Sequence, residues 1–248
     1  MAIYPKFVAD TIEKIGRATT VTQIIDPSPK LRLISFASPA LQNFRWEPCQ
    51  VTAFRVAKGE FRHYTPSRLD PAKGTGEIQF LFHSTTGDAP GEHLVRNLQL
   101  GDEITWCGLE APRSFRWAPH PRILVLGDAT TLGLWRSFLE HPSVTAGRTQ
   151  VVGAVEVPDG DQHGAKIITP GLEVITAIDV PGAALDTWLE QHLADQEDQL
   201  SLDTTHAYLA GHGRSLQRLR SALQRAGMRR AHIHTHAYWT DKTPAMPR

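Results

Sequence analysis

The sequence has few of the features that mark secreted, membrane-bound or nucleic-acid-binding proteins. Its 248 residues include only two cysteines, Cys49 and Cys107, so a secreted fold built on disulfides is not expected. Lysine plus arginine and aspartate plus glutamate number 26 each, so no net charge draws the chain to nucleic acid or to a membrane. No stretch approaches the roughly 18 apolar residues of a membrane span, and charges interrupt residues 1–17, unlike a signal peptide. These absences predict a cytoplasmic protein.

The pattern of the sequence predicts two domains. In the first half, short β-branched segments alternate with turn-forming residues, which indicates a β-barrel or a sandwich. An N-terminal helix is expected to place Phe7, Ile12 and Ile15 on one face. From Arg122 onwards, apolar runs alternate with helical segments, which predicts a parallel sheet with crossover helices. The predicted domains are residues 1–118 and 119–248.

The most informative stretch is Arg62-His63-Tyr64-Thr65, at the end of a predicted strand. Alternation along a strand puts Arg62 and Tyr64 on one face, with the Thr65 hydroxyl beside them. Pro66 is expected to end the pairing, because it has no N–H group. A guanidinium, a flat ring and a hydroxyl together suit a ligand with a phosphate and a planar polar ring. An exposed arginine beside a half-buried tyrosine on an ordinary strand is the alternative.

A predicted helix that begins near Pro90 offers a second binding element. Pro90 suits the first helical turn, and Gly91 would allow a close approach of a ligand. The free N–H groups and partial positive charge of a helix N-terminus favour a pyrophosphate. A capped helix that closes the end of the barrel is the alternative.

In the second half, two loops are predicted at the carboxyl edge of the sheet, where ligands of such folds bind. They cover residues 127–133 and 209–213, and the first does not match the dinucleotide fingerprint. Glu156 ends a strand where such folds often place an acid on a ribose, and an exposed strand end is an equal alternative. His232, His234 and His236 alternate on the last strand, but same-face neighbours stand roughly 7 Å apart. No metal site is therefore expected, and a polar sheet face is the preferred interpretation.

Several of these segments resemble the ferredoxin–NADP reductase superfamily, and most closely its siderophore-interacting, FAD-dependent ferric reductases. Arg62-x-Tyr64-Thr65 is similar to the flavin motif, and residues 46–51 are similar to the preceding strand, with Cys49 in place of the usual glycine. Further similarity covers residues 80–83, 127–131 and 209–213, and the pair Tyr238-Trp239. The resemblance implies an antiparallel, FAD-binding β-barrel followed by an α/β domain of the NAD(P)H-binding type.

The resemblance also implies roles for individual residues. Arg62 would neutralise the FAD pyrophosphate, Tyr64 would pack on the isoalloxazine, and Thr65 would bond the ring near its reactive nitrogen. The rest of the expected cofactor site is the backbone of Pro90, Gly91, Glu92 and His93, together with His63, His83, Thr131 and Trp239.

Electrons would pass from NADH, NADPH or reduced ferredoxin, through FAD, to a ferric siderophore, and this step needs no acid–base catalytic side chain. Weak candidates for attracting the anionic siderophore are Arg113, Arg116 and Lys242. Two alternatives stay open. One is a general flavin oxidoreductase that serves a protein electron carrier, and the other is a flavin-binding module without reductase activity.

Overall fold

The computed structural model describes residues 2–42, 45–82, 89–194 and 201–241, so His83 and Lys242 lie outside the described residues. The strands are β1 (Ala2–Ile3), β2 (Arg17–Ser28), β3 (Leu31–Ala37), β4 (Val51–Ala57), β5 (Glu60–Tyr64), β6 (Pro66–Asp70), β7 (Thr75–Leu81), β8 (Glu103–Glu110), β9 (Arg122–Asp128), β10 (Gln150–Val157), β11 (Glu173–Thr176), β12 (Thr205–His212) and β13 (Ile233–Trp239). The α-helices are α1 (Lys6–Lys14), α2 (Pro90–Asn97), α3 (Leu132–Leu139), α4 (Pro142–Thr145), α5 (Gln162–Ile168), α6 (Ala183–Ala194) and α7 (Gly213–Arg225). Short 3-10 turns cover Pro39–Leu41, Ala129–Thr131 and Arg230–His232.

The first sheet is antiparallel and closes on itself. Its strand order is β1-β5-β4-β8-β2-β3-β7-β6. β5 lies beside one edge and β6 forms the other edge, yet only Thr65 separates these two strands along the chain. Because one residue spans only about 3.8 Å, the sheet must curl until its edges meet. The predicted barrel is confirmed, and Thr65 lies at its seam.

The seam corrects one expectation about Pro66. This proline does not end the strand pairing, because β6 begins at Pro66 and pairs with β7, with Pro66 opposite Ile78. The chain changes its partner strand at Thr65. A proline is tolerated here because it is the first residue of an edge strand, where a missing N–H costs little.

Aromatic rings fill the barrel. Phe36, Phe54 and Trp106 are at most 1% exposed, and their ring centroids lie 5.6–6.2 Å apart. α1 packs on the outside through the buried Ala9, which contacts the small cluster around Phe61. The predicted helix is present, but its apolar face packs only in part: Ile12 lies against this cluster, whereas Phe7 and Ile15 are 72% and 77% exposed.

The second sheet is parallel, as predicted, with the strand order β11-β10-β9-β12-β13. The buried run Ile123–Leu126 in β9 is wholly inaccessible, which suits a central strand with both faces covered. β10 lies on one side of β9 and β12 on the other, so the winding direction reverses at β9. A crevice therefore opens beyond the carboxyl ends of β9 and β12. Within the described residues, no helix is long and apolar enough to cross a membrane.

Residues 111–121 connect the two sheets and are fixed to the second one. Phe115 is buried against Tyr208, with the ring centroids 5.6 Å apart. The Tyr208 hydroxyl donates to the carbonyl of Arg116 at 2.9 Å and accepts from the N–H of Ala118 at 3.1 Å. The proposed division into residues 1–118 and 119–248 falls within this segment.

An ion-pair network joins α3 to the barrel. Glu140 accepts from Arg68 of β6 at 2.6 Å and from Arg136 at 3.1 Å. Arg136 also lies 3.2 Å from Glu77 of β7, and Glu77 accepts from Ser67 at 2.7 Å. The network fixes α3, and with it the carboxyl end of β9, beside the barrel seam.

Candidate functional site

A cavity of about 250 Å³ lies at the barrel seam, between the two domains. Its walls come from the seam, from the start of α2, from the turn and helix that follow β9, and from the carboxyl end of β13. Residues that border it include Arg62, His63, Tyr64, Thr65, Gln79, Phe80, Gly91, Glu92, Thr130, Gly133, Tyr238 and Trp239. The motif of residues 62–65 and the crevice of the parallel sheet therefore border one and the same cavity.

Arg62 lines this cavity and carries a buried hydrogen-bond donor that has no partner among the described residues. One of its terminal nitrogens, Nη2, lies 2.6 Å from Glu60 Oε1. The other, Nη1, is buried and has no hydrogen-bond partner among the described residues. A buried donor without a partner costs free energy, and the cost is greater for a charged group. The guanidinium is therefore suited to an anionic ligand that would complete its hydrogen bonding.

Tyr64 is held between aromatic rings and a glycine. Its ring centroid lies 5.3 Å from that of Phe54 and 4.8 Å from that of Phe80. Burial raises the pKa of Tyr64 to about 12, so the phenol is neutral. A Cβ atom on Gly91 would lie 2.7 Å from the Tyr64 hydroxyl. Gly91 thus permits the close approach of Tyr64, whereas the sequence pattern suggested a close approach of phosphate.

Thr65 contacts the last strand of the second domain. Its hydroxyl lies 2.7 Å from the hydroxyl of Tyr238, and either oxygen can be the donor. Burial is the main cause of the raised pKa of Tyr238. The Thr65 hydroxyl, expected from the resemblance to contact a flavin ring, is therefore engaged with Tyr238. A ligand in the cavity would meet both hydroxyls as one unit.

The start of α2 offers fewer backbone donors than expected. Ala89 is the N-cap residue and makes no side-chain capping bond. Pro90 has no N–H, and the N–H of His93 already donates to the carbonyl of Ala89 at 2.9 Å. Only Gly91 and Glu92 can offer first-turn N–H groups. The Glu92 side chain is 7% exposed, and its carboxylate lies 3.9 Å from Arg96.

Asp128 connects the strand ends at the crevice. Its Oδ1 accepts from the N–H of Thr130 at 2.9 Å, and its Oδ2 accepts from the N–H of His212 at 2.9 Å and from Trp239 Nε1 at 2.8 Å. A Cβ atom on Gly211, whose φ is +119°, would lie 2.4 Å from Oδ2. One carboxylate thus holds the carboxyl ends of β9, β12 and β13 together.

The Asp128 network changes the expected roles of two residues. Trp239 borders the cavity, but its indole N–H is bonded to Asp128 and its ring packs on His212 at 4.4 Å. Thr131 is fully buried, and its hydroxyl donates to the carbonyl of Asp128 at 2.7 Å. Its hydroxyl is not available to a ligand, and the neighbouring Thr130 borders the cavity instead.

Other residues named from the sequence lie apart from the cavity or have other partners. Arg113 and Arg116 are exposed on the connecting segment and do not border it. His63 borders the cavity with an exposed side chain, and the exposed His93 side chain lies against Asn97.

Glu156 has no exposed carboxylate for a ribose. It is 4% exposed, and it accepts from the N–H groups of Gly182 at 2.8 Å, Ala184 at 3.1 Å and Leu185 at 3.3 Å. Burial raises the pKa of Glu156, although these three bonds act in the opposite direction. Glu156 therefore fixes the start of α6, and it gives no preference between NADH and NADPH.

Sequence reasoning missed Asp128 and Tyr238 as site residues. Asp128 is the first acid after the buried run of β9, at the predicted ligand edge, so its position carried a usable signal. Tyr238 needed the strand order, because only the pairing of β13 with β12 shows that it reaches the barrel seam.

The family model described as siderophore-interacting protein matches residues 120–242. Over these residues, the chain belongs to the siderophore-interacting protein family. No curated protein matches the sequence.

The fold is shared with solved structures of low sequence identity. The siderophore-interacting protein SipS from Aeromonas hydrophila superposes with a TM-score of 0.68 at 18% identity, over 91% of this chain and 99% of that one. The siderophore-interacting protein from Acinetobacter baumannii gives 0.68 at 16% identity, over 92% of both chains. A ferredoxin NADP+ reductase from Neisseria gonorrhoeae, solved with bound FAD and NADP, gives 0.65 at 16% identity, over 90% of this chain and 98% of that one. At these identities the comparisons establish that this chain shares the two-domain fold of these structures.

Proposed function

We propose that this protein is an FAD-dependent oxidoreductase that reduces ferric siderophores. The observation that carries the proposal is that Arg62, which lines a cavity next to a helix N-terminus, has a buried Nη1 with no hydrogen-bond partner among the described residues. A diphosphate supplies the anionic acceptors that both features lack, since charge-assisted bonds to a guanidinium are strong. The family match over residues 120–242 supports a ferric siderophore as the electron acceptor.

The residues of the cavity fit FAD in three respects. Arg62 Nη1 and the N–H groups of Gly91 and Glu92 would hold the pyrophosphate. Tyr64, held rigidly by Phe54 and Phe80, offers a flat surface for the isoalloxazine. The paired hydroxyls of Thr65 and Tyr238 would supply a hydrogen bond to the ring.

The buried Glu92 carboxylate opposes this binding, because it adds a negative charge at the helix start. Arg96 lies 3.9 Å away and offsets part of that charge.

When bound, FAD would supply the redox chemistry by accepting a hydride from a nicotinamide, or electrons from ferredoxin, and passing single electrons to Fe(III). The chain's own residues position and enclose the ring. Asp128 holds Trp239 and the ends of three strands in place beside it. No side chain has to move a proton for electron transfer to the iron. Reduction to Fe(II) would weaken a hard-oxygen chelate and release the metal.

The decisive test is an anaerobic absorbance titration. Protein loaded with FAD is mixed in turn with NADH, NADPH and reduced ferredoxin, and then with a ferric siderophore in the presence of a ferrous chelator. We expect the flavin band to bleach with at least one donor and to return when the siderophore is added, with one coloured ferrous complex per electron. Failure to bind FAD, or a bleached flavin that the ferric complex leaves unchanged, would refute the proposal.

One alternative has support of its own. Two further structures of the same fold are the ferredoxin reductase of carbazole 1,9a-dioxygenase and a cytochrome P450 reductase from Amycolatopsis, with TM-scores of 0.69 and 0.63. A general flavin reductase of this type would pass electrons quickly to a ferredoxin and slowly to the siderophore. The same titration, with oxidised ferredoxin as a second acceptor, separates the two functions. Bound flavin that no donor reduces would indicate a binding module without reductase activity.

A further inference from the structure

Four histidines gather at the edge of the parallel sheet that faces away from the flavin cavity. His206 is the second residue of β12 and His234 is the second residue of β13, while His120 lies just before β9 and His232 just before β13. Because β9, β12 and β13 are parallel neighbours, these residues meet at the amino edge. His234 and Tyr238 are four positions apart in β13, which is roughly 13 Å along a strand. The cluster is therefore separate from the cavity.

The nitrogen atoms of three of these histidines converge. One ring nitrogen from each of His120, His206 and His234 lies within 4.8 Å of the other two. The closest pair, His206 Nδ1 and His234 Nε2, is 3.3 Å apart. Two nitrogens that bind one tetrahedral zinc ion at 2.0–2.1 Å stand about 3.4 Å apart. The two strand histidines thus have the spacing of zinc ligands.

The histidines are stacked on one another, and none of them forms an ion pair with a carboxylate among the described residues. The His206 ring lies between His120 and His232, with centroid distances of 3.4 Å and 4.2 Å. His232 Nδ1 is buried without a hydrogen-bond partner in the part of the chain that the structure describes. Burial, reinforced by the neighbouring histidines, lowers the pKa of His206 to about 4. A lowered pKa favours the neutral His206 ring, and the neutral imidazole is the form that binds metals.

We infer that His120, His206 and His234 form a binding site for a divalent late transition-metal ion of the zinc type. Imidazole nitrogens without carboxylates suit zinc, nickel and copper and do not suit magnesium or calcium. His206 and His234 are fixed by adjacent strands, while the His120 ring has to turn out of its stack on His206 to point a nitrogen at the ion. His120 lies outside regular secondary structure, so this rotation disturbs no strand. Three protein ligands leave a fourth position for water or an external ligand.

The test is zinc titration of protein that carries no polyhistidine tag and has been treated with EDTA. Isothermal calorimetry and metal analysis after dialysis give the affinity and the stoichiometry, and MgCl₂ is the negative control. The variants are His206→Asn, His234→Asn and His120→Ala. His163→Ala is the matched control, because His163 is an exposed histidine on α5, outside the cluster. Circular dichroism and FAD uptake show whether each variant is folded.

We expect one zinc ion per chain, no response to magnesium, and a rise in the melting temperature of the wild type on zinc addition. Each cluster variant should weaken zinc binding by on the order of 100-fold, while His163→Ala should bind as the wild type does. Absence of stoichiometric zinc in the wild type would overturn the inference. Equal zinc binding by the wild type and His206→Asn would also overturn it. If the strand variants do not fold, equal zinc binding by the wild type and His120→Ala would overturn it instead. None of these readouts requires flavin reduction.

Discussion

Replacing Arg62 tests the proposed pyrophosphate contact most sharply. Arg62→Gln removes the guanidinium whose Nη1 is buried without a partner in the part of the chain that the structure describes, and a hydrogen bond to a charged group contributes about 1.5–3 kcal/mol. At about 1.4 kcal/mol per factor of ten, the variant should bind FAD about 10- to 150-fold more weakly than the wild type. The assay is a titration of flavin fluorescence with apoprotein at fixed ionic strength.

The controls come from Glu60, which lies 2.6 Å from Arg62 Nη2 and is 17% exposed. Arg62→Gln leaves this carboxylate without its cation, so part of any loss could reflect a destabilised strand. Glu60→Gln keeps the guanidinium and should bind FAD at least as tightly as the wild type, since no anion competes for Arg62. Pairing Glu60→Gln with Arg62→Gln should restore stability without restoring affinity. If Arg62→Gln binds FAD as tightly as the wild type, the pyrophosphate assignment is wrong.

Three further predictions concern other residues. Gly91→Ala should displace the Tyr64 ring, because the new Cβ would lie 2.7 Å from the Tyr64 hydroxyl. In the same titration, the affinity of Gly91→Ala for FAD should be at least tenfold lower than that of the wild type, and Gly91→Ser should lose at least as much affinity. Burial disfavours the charge on Glu140, but the hydrogen bonds that Glu140 accepts from Arg68 and Arg136 outweigh burial and lower its pKa from the usual value. A lowered carboxylate pKa stabilises the fold above about pH 4.5 and stops doing so as pH falls through the folded-state pKa, so Glu140→Gln should lower the melting temperature by a few degrees at pH 7 and by less at pH 3.5. If the melting temperatures of Glu140→Gln and the wild type differed more at pH 3.5 than at pH 7, this prediction would be wrong. Burial raises the pKa of the Cys49 thiol. In a Cys107→Ser variant, Cys49 should therefore react with a thiol reagent only as fast as the protein unfolds. Rapid labelling of the folded variant would contradict this.

Much of the fold followed from local patterns. The switch in hydrophobic period at Arg122 separated the barrel from the parallel sheet, and the structure confirms both. The helix at Pro90 was predicted from one proline and an apolar stripe. These features are visible locally, because strand alternation and helix capping act over a few residues.

The contacts that complete the site were less predictable. That Thr65 contacts Tyr238, 173 positions away, follows from barrel closure and strand order, neither of which is written in a local segment. Likewise, alternation along β13 argued only about joint metal binding by His232, His234 and His236. It could not show that His206 and His120 approach His234 from other segments.

One residue shows how the resemblance and the structure inform each other. Cys49 stands where the resemblance expects glycine, and its φ is +72°, in the left-handed region that favours glycine. The backbone here therefore adopts a conformation that suits the glycine expected from the resemblance. The 2% exposed side chain packs in the core beside the second domain, which helps to offset the strain.

The most direct measurement of the central claim is a crystal structure of the protein grown with FAD. The account predicts a pyrophosphate oxygen within about 3 Å of Arg62 Nη1, with the isoalloxazine beside Tyr64 and the Thr65–Tyr238 pair. FAD bound elsewhere, or FAD at the seam with Arg62 Nη1 still without a phosphate contact, would contradict it.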